Sequence, residues 1–339
     1  MPTIPQKRFN EFLQDIEPSA TTKAHAKAAH EGLRAHLQAD DEFKGVHVQD
    51  FLSGSYKRDT AIRPRKKGDS VDRPDVDIIV VTNHTEDDDP EEVISLLHRA
   101  LKRKYTTCVV RKQARSVGVK GYYKADMDVV PLIENGTMYL IPDRKQDDWI
   151  DTNPPAHTQW TIDTNKAAGG RFKPLVKLMK WWRCTNPTQY KKPKGFAIEC
   201  ITAQCLDNEE DYYGELFVGT MEAIVEEYAL DILLGTVPTI ADPGVPGHCV
   251  TDGMTGDEFA AFYRKAGETA KVGREALECD DPEKATKKWR KVFGDRFPGT
   301  SSSSGTDSSK SLLADAVDTS EYSFPDRPVL PPQKPKGFA

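Results

Sequence analysis

Residues 75–82 read DVDIIVVT, and residues 125–133 read ADMDVVPLI. Each stretch sets two aspartates one residue apart and then runs into β-branched, apolar sequence. Val and Ile fit a pleated buried surface, and apolar runs of this length predict strands covered on both faces. Side chains alternate along a strand, so Asp75 and Asp77 project from one face, as do Asp126 and Asp128. Paired carboxylates repel unless a cation lies between them, and hard oxygen donors suit Mg²⁺ or Mn²⁺. Solvated strand ends would hold the same aspartates without an ion. If the strands lie together, one shared site would relieve the cost of charge at the mouth of both.

Gly54-Ser55 lies twenty residues before Asp75. A Gly-Ser turn lets backbone amides and a hydroxyl approach a phosphate closely. Residues 48–52 are a short apolar approach to that turn. Residues 63–74 read as a polar, basic loop that carries Arg65, Lys66 and Lys67. Before them, residues 5–39 read as helix, with Ala24, Ala26, Ala29, Leu33 and Leu37 as a rough stripe. Asp89, Pro90, Glu91 and Glu92 open a second helix as cap, first-turn proline and acidic first turn. Lys102, Arg103 and Lys104 close it. Further strands are expected at 106–111 and 137–141.

From Phe172 onward the pattern turns helical, with helices predicted at 172–184, 196–206, 214–234, 257–278 and 283–293. The change places a boundary near residue 165. After Phe297 the chain becomes Ser-rich and then Pro-rich, a composition that buries too little surface to order itself. The expected organisation is residues 1–165, 166–298 and a disordered tail at 299–339.

In KPLVKLMKWW (173–182), Lys177 and Lys180 lie three apart and share a face, while Leu175, Leu178, Met179 and Trp182 take the core side. The lysines form either a solvated stripe or a phosphate contact. Phe196 follows the basic loop Lys191-Lys192-Pro193-Lys194-Gly195. It either stacks on a base or begins the core of the next helix.

The chain has 339 residues, a length that suggests about two domains. Its 47 basic and 53 acidic residues give a formal charge of −6, which argues against a protein that wraps nucleic acid. No run approaches 18 apolar residues, so no membrane span is expected. The start of the chain lacks the apolar region of a secretory signal. Six cysteines without a C-x-x-C read as buried thiols in a reducing cytoplasm, and structural zinc is not expected.

The ordered set resembles the DNA-polymerase-β-like nucleotidyltransferases. Within them it is similar to the cGAS/DncV-like and oligoadenylate-synthetase-like branch, the CD-NTases. GSYKRDTAIRP resembles that branch's G-S motif, and ADMDVVPLI resembles its third-aspartate strand, which selects Asp128 over Asp126. KLMK resembles its phosphate-contacting helix, and GFAIECI its base-packing helix. The resemblance covers roughly residues 20–298. It implies an α+β fold: a mixed sheet flanked by helices, with an all-α domain across an active-site cleft.

The implied chemistry is two-metal nucleotidyl transfer. Asp75, Asp77 and Asp128 would hold two Mg²⁺ or Mn²⁺ ions. Gly54, Ser55, Lys177 and Lys180 would take the triphosphate, and Phe196 the donor base. The implied product is a cyclic di- or trinucleotide made from NTPs, ATP among them, in bacterial anti-phage defence. The alternatives are a linear 2′-5′ oligoadenylate or tailing enzyme, a transferase that places AMP on protein, and an inactive nucleotide-binding module.

The zinc insertion of animal cGAS is missing, so activation by double-stranded DNA is not expected. The segment between Ser55 and Asp75 is longer than the pattern usually has. The end Lys336-Gly337-Phe338-Ala339 resembles the mobile termini that a neighbouring ubiquitin-transfer-like enzyme joins to targets, which implies such a partner acting at Ala339.

Overall fold

A computed structural model describes residues 2–300, apart from 65, 68, 69, 72 and 123. The element order is α1 (Gln6–Ile16), α2 (Ala20–Ala39), β1 (His47–Ser53), α3 (Gly54–Lys57), β2 (Lys66–Lys67), β3 (Ser70–Val71), β4 (Asp75–Thr82), α4 (Pro90–Lys104), β5 (Val109–Lys112), β6 (Val117–Lys120), β7 (Asp126–Asn135), β8 (Met138–Asp143) and β9 (Asp148–Thr152). The helical half follows as α5 (Pro154–Ala167), α6 (Phe172–Thr185), α7 (Gly195–Cys205), α8 (Tyr213–Glu227), α9 (Ala229–Leu234), α10 (Gly256–Leu277) and α11 (Pro282–Phe293).

The main sheet runs β1-β4-β7-β6-β5, with β8 paired to β7 and β9 to β8. Among the described residues only β4 and β7 pair in parallel, and the other pairs are antiparallel. On its other edge β7 meets β6 over Met127–Val129 and β8 over Ile133–Asn135. Pro131 sits at that handover, opposite Val80 of β4.

Along β4 the two faces differ as the alternation requires. Val76, Ile78 and Val80 pack with Met127 and Val129 against Leu33, Leu37, Ile94 and Leu97 of α2 and α4. Ile79 and Val81 continue the opposite face, the one that begins with Asp75 and Asp77. A second core fills the helical half around Trp182, Phe217, Phe262 and Trp289.

Several expectations are corrected. Residues 5–39 form two helices rather than one. Pro18 disfavours helix at the residue before it, and the Ser19 hydroxyl restarts the chain by capping Thr22 N–H at 3.1 Å. The consequence is large: α1 does not lie on the sheet. Its Phe9 and Phe12 join Trp181, Trp289, Phe293 and Phe297 in the helical core. The 214–234 helix breaks at Tyr228. The 106–111 strand lies at 109–112, and the 63–74 loop contains the β2–β3 hairpin.

β6, β9 and α5 were not anticipated, because short or evenly polar segments carry little periodicity. Of the cysteines only Cys200 and Cys205 are buried; the others are partly exposed. Among the described residues no helix is long and apolar enough to cross a membrane. Of the expected tail at 299–339, residues 301–339 with Ala339 lie outside the described residues.

His30 on α2 is buried, and neither ring nitrogen finds a hydrogen-bond partner among the described residues. Burial, with Arg34 nearby, pushes its pKa down from 6.5 to about 4. The unfolded chain therefore binds the extra proton first as pH falls. Stability should drop between pH 6.5 and about 4, by up to about 3 kcal/mol. Denaturant titrations of His30→Leu across that range should show a flatter profile than the parent; an unchanged slope would contradict this origin.

Candidate active site

The parallel pairing of β4 with β7 sets Asp75 opposite Asp126 and Asp77 opposite Asp128. All four aspartates thus share one sheet face, a placement neither strand specifies alone. Asp77 is pushed up to about 6, chiefly by burial and then by the charges of Asp75 and Asp128. Asp128 is raised by burial and by Asp75. The two carboxylates are therefore held in a site where their own charge is unfavourable.

Each remaining group has a partner. Gln113 donates to Asp128 Oδ1 at 2.6 Å. Lys120 Nζ donates to Asp75 Oδ1 at 3.0 Å and lies 3.7 Å from Asp126 Oδ2. Asp126 Oδ1 also accepts the Gly121 N–H at 3.0 Å, so this carboxylate closes the β6–β7 connection. That task sets it apart from Asp128. Among the described residues no three metal-ligating groups converge on one point. Asp75 is drawn to Lys120 and Asp128 to Gln113. The donor set still fits hard divalent ions: three carboxylates share a face, two are disfavoured as bare anions, and an ammonium already rests on the third.

β1 ends at Ser53, which pairs with Asp77, and the chain turns there into α3. Gly54 has φ +66°, and a Cβ on it would fall on the Asp77 carboxylate. The Gly-Ser turn is therefore built against the aspartates and not merely near them. Arg58 N–H returns to Gly54 O at 3.1 Å and Thr60 N–H to Ser55 O at 2.9 Å, folding residues 54–60 into one compact unit. The Tyr56 hydroxyl is buried within it without a hydrogen-bond partner among the described residues.

Lys177 and Lys180 are not solvated: both are buried. Lys177 Nζ donates to Glu17 at 2.7 Å and to Asp59 at 3.4 Å. Lys180 Nζ donates to Glu199 Oε1 at 2.7 Å, Thr60 Oγ1 at 3.1 Å and Thr60 O at 3.2 Å. The reason is tertiary: the lysine side of α6 is roofed by the segment after α3 and by α7. Phe196 is half-buried under the Arg58 guanidinium, 4.8 Å away, and its ring meets His157 at 4.6 Å and Trp160 at 5.9 Å. The sequence reading missed Arg58, Thr60 and Glu199. The available signal was a lone carboxylate inside the apolar run Ala197–Ile201, since such a group is rarely buried unpaired.

A mixed sheet presenting paired aspartates beside a Gly-Ser turn, with a helical wall behind it, defines a polymerase-β-like nucleotidyltransferase. Residues 3–165 match the Second Messenger Oligonucleotide or Dinucleotide Synthetase domain. The chain is 47% identical to a cyclic AMP-AMP-AMP synthase of Acinetobacter sp., covering 98% of this chain and 97% of that protein. It is 29% identical to a cyclic AMP-AMP-GMP synthase of Enterobacter hormaechei, over 86% and 92% of the two chains. In fold it is similar to Escherichia coli CdnC solved with ATP, with TM-score 0.69, 20% identity, and coverage of 88% of this chain and 100% of that one. It is likewise similar to Bradyrhizobium diazoefficiens CdnG solved with GTP, with TM-score 0.72, 16% identity, and coverage of 87% and 97%. The chain belongs to the bacterial CD-NTase family. It is a nucleotidyltransferase of the cyclic oligonucleotide synthase type, in a family that uses two metal ions.

Proposed function

We propose that this enzyme joins three ATP molecules into a cyclic trinucleotide second messenger that serves bacterial anti-phage defence. Identity of 47% along nearly the whole chain to a cyclic AMP-AMP-AMP synthase carries the choice of product. Asp75, Asp77 and Asp128 would hold two Mg²⁺ or Mn²⁺ ions. When bound, these would acidify the acceptor ribose hydroxyl and stabilise the departing pyrophosphate. The protein's own part is placement. Gly54 brings its backbone against Asp77 without a side chain in the way, so a triphosphate and the carboxylates can be neighbours. Ser55 offers a hydroxyl on the same turn, and Arg58, Lys177 and Lys180 supply positive charge behind it. Gln113 holds Asp128 in orientation. Phe196, braced by Arg58 and His157, offers a ring edge to a base.

Incubation with all four NTPs and Mg²⁺ or Mn²⁺ tests this. The expected product is nuclease-resistant, has the mass of three cyclised adenylates, and forms from ATP alone. An open product that lengthens with time would show a linear polymerase instead, and label retained on protein would show an AMP transferase.

The same reading divides the chain near residue 165 and treats residues 299–339 as a dispensable tail. Its end, Lys336-Gly337-Phe338-Ala339, suits capture by a ubiquitin-transfer-like enzyme of the same operon. Ala339→Glu should then abolish any C-terminal adduct seen by mass spectrometry in cells carrying that operon, while NTP turnover persists. An operon-bearing strain with no adduct on the parent chain would refute the handle.

A further inference from the structure

The least expected feature of the site region is a carboxylate with no exposed surface. Glu199 on α7 is fully buried and accepts four hydrogen bonds. Arg58 Nε donates at 3.0 Å, Arg58 Nη2 at 3.1 Å, the Thr60 hydroxyl at 2.9 Å and Lys180 Nζ at 2.7 Å. Arg58 and Thr60 belong to the unit that begins with Gly54-Ser55, whereas Lys180 comes from α6 and Glu199 from α7. A single buried group thus ties the turn beside the aspartates to two helices of the other half.

Burying a carboxylate is costly, and Lys180 and Arg58, with their hydrogen bonds, hold its pKa down at about 2 in spite of that. The arrangement contains two cations and one anion. Burial draws the Lys180 pKa down while Glu199 opposes that; with both bases protonated the cluster carries one net positive charge behind the turn, within the electrostatic reach of Asp77. A buried pair built only for cohesion could be replaced by apolar residues at little cost. Here replacing the Lys180–Glu199 pair would leave the Arg58 guanidinium buried without its carboxylate and free the turn.

We propose that Glu199 is a positioning residue for nucleotidyl transfer: it aligns Arg58 and Lys180 behind the Gly54-Ser55 turn, so that the turn meets the triphosphate with its geometry and net charge already set. The proposal rests on the reading of that turn as the triphosphate site. Glu199 need not touch substrate itself. It acts through the two cations, as pre-organised groups around reacting phosphates do.

The test is steady-state kinetics of Glu199→Gln with ATP and Mg²⁺, alongside thermal melting. Glutamine keeps the shape but loses the charge and one acceptor. The expected result is a KM for ATP raised about 10-fold or more, beyond any change in kcat, on protein that is still folded at the assay temperature. Should Glu199→Gln not fold, Lys180→Met/Glu199→Gln removes one of the two cations left without a carboxylate and restores the parent's net charge, and there the melting temperature should rise again while KM stays high. KM and kcat within about twofold of the parent in Glu199→Gln, or a KM that recovers together with the melting temperature in the double variant, would overturn the proposal. Asp77→Asn assayed in parallel separates the two failures. If it is dead while Glu199→Gln is normal, only the role of Glu199 falls; if it turns over normally, the site assignment falls and the proposal with it.

Discussion

Asp128→Asn should abolish cyclic product while leaving the chain folded, and Asp77→Asn should do the same. Each removes a hard oxygen donor and a full negative charge from the face proposed to meet the metal ions and the triphosphate. The expected loss in turnover is on the order of 10³-fold or more. A second signature separates this from damage to the fold. The Asp77 pKa is pushed up to about 6 by burial and by its acidic neighbours. A carboxylate whose folded pKa lies above its unfolded value is destabilising once ionised, so at neutral pH its charge works against folding. Asp77→Asn should therefore melt at or above the parent temperature as activity vanishes. Asp126→Asn is the control on the same strand, expected to keep turnover, because Asp126 is occupied with Gly121 N–H and Lys120. Turnover within about tenfold of the parent for Asp128→Asn, or an inactive Asp126→Asn beside it, would move the site along the strand.

Gly54→Ala should be nearly as damaging, by a different route. The backbone there has φ +66°, which an L side chain adopts only with strain of about 1–3 kcal/mol. Strain is the smaller part. The new Cβ would occupy the space of the Asp77 carboxylate, so either the turn or the aspartate must shift. A displacement of about 1 Å in such a group is worth on the order of 10²-fold in rate. Gly136→Ala isolates the backbone contribution: it has φ +62°, but nothing within 4 Å would meet its Cβ. It should cost stability with normal turnover. If Gly54→Ala melts lower yet turns over like Gly136→Ala, the contact between the turn and Asp77 has no catalytic meaning.

What was readable in advance follows local chemistry. The aspartates precede β-branched runs long enough to commit to strands, and their alternation puts each pair on one face whatever the strands meet. α4 announced itself by Asp89, Pro90 and two glutamates; Asp89 does cap Glu91 N–H, and Pro90 opens the helix. The helices from Phe172 onward had long apolar stripes and emerged within a residue or two at most ends, with the break at Tyr228 as the exception.

Short polar strands such as β9, and a helix as evenly mixed as α5, left too little periodic signal. Pro18 was in plain view, but where α1 went after the break depended on apolar partners about 170–290 residues further along the chain, at Trp181, Trp289, Phe293 and Phe297.

By itself the sequence determined which residues could carry the chemistry: Gly54 and Ser55 at a turn, and aspartates in pairs at the heads of buried strands. Period two and the geometry of glycine are properties of the local chain. Only the tertiary structure decided which carboxylates became neighbours. The parallel register of β4 on β7 aligns Asp77 with Asp128 and Asp75 with Asp126, whereas a shift by one residue would turn one pair to the opposite face. Tertiary structure also decided the state of Lys180. Spacing alone put it beside Lys177 on an open helical face, but α7 and the segment after α3 close over that face and pair it with Glu199. Burial changes the meaning of a charge, and burial is set by what packs against the helix, which no local pattern records.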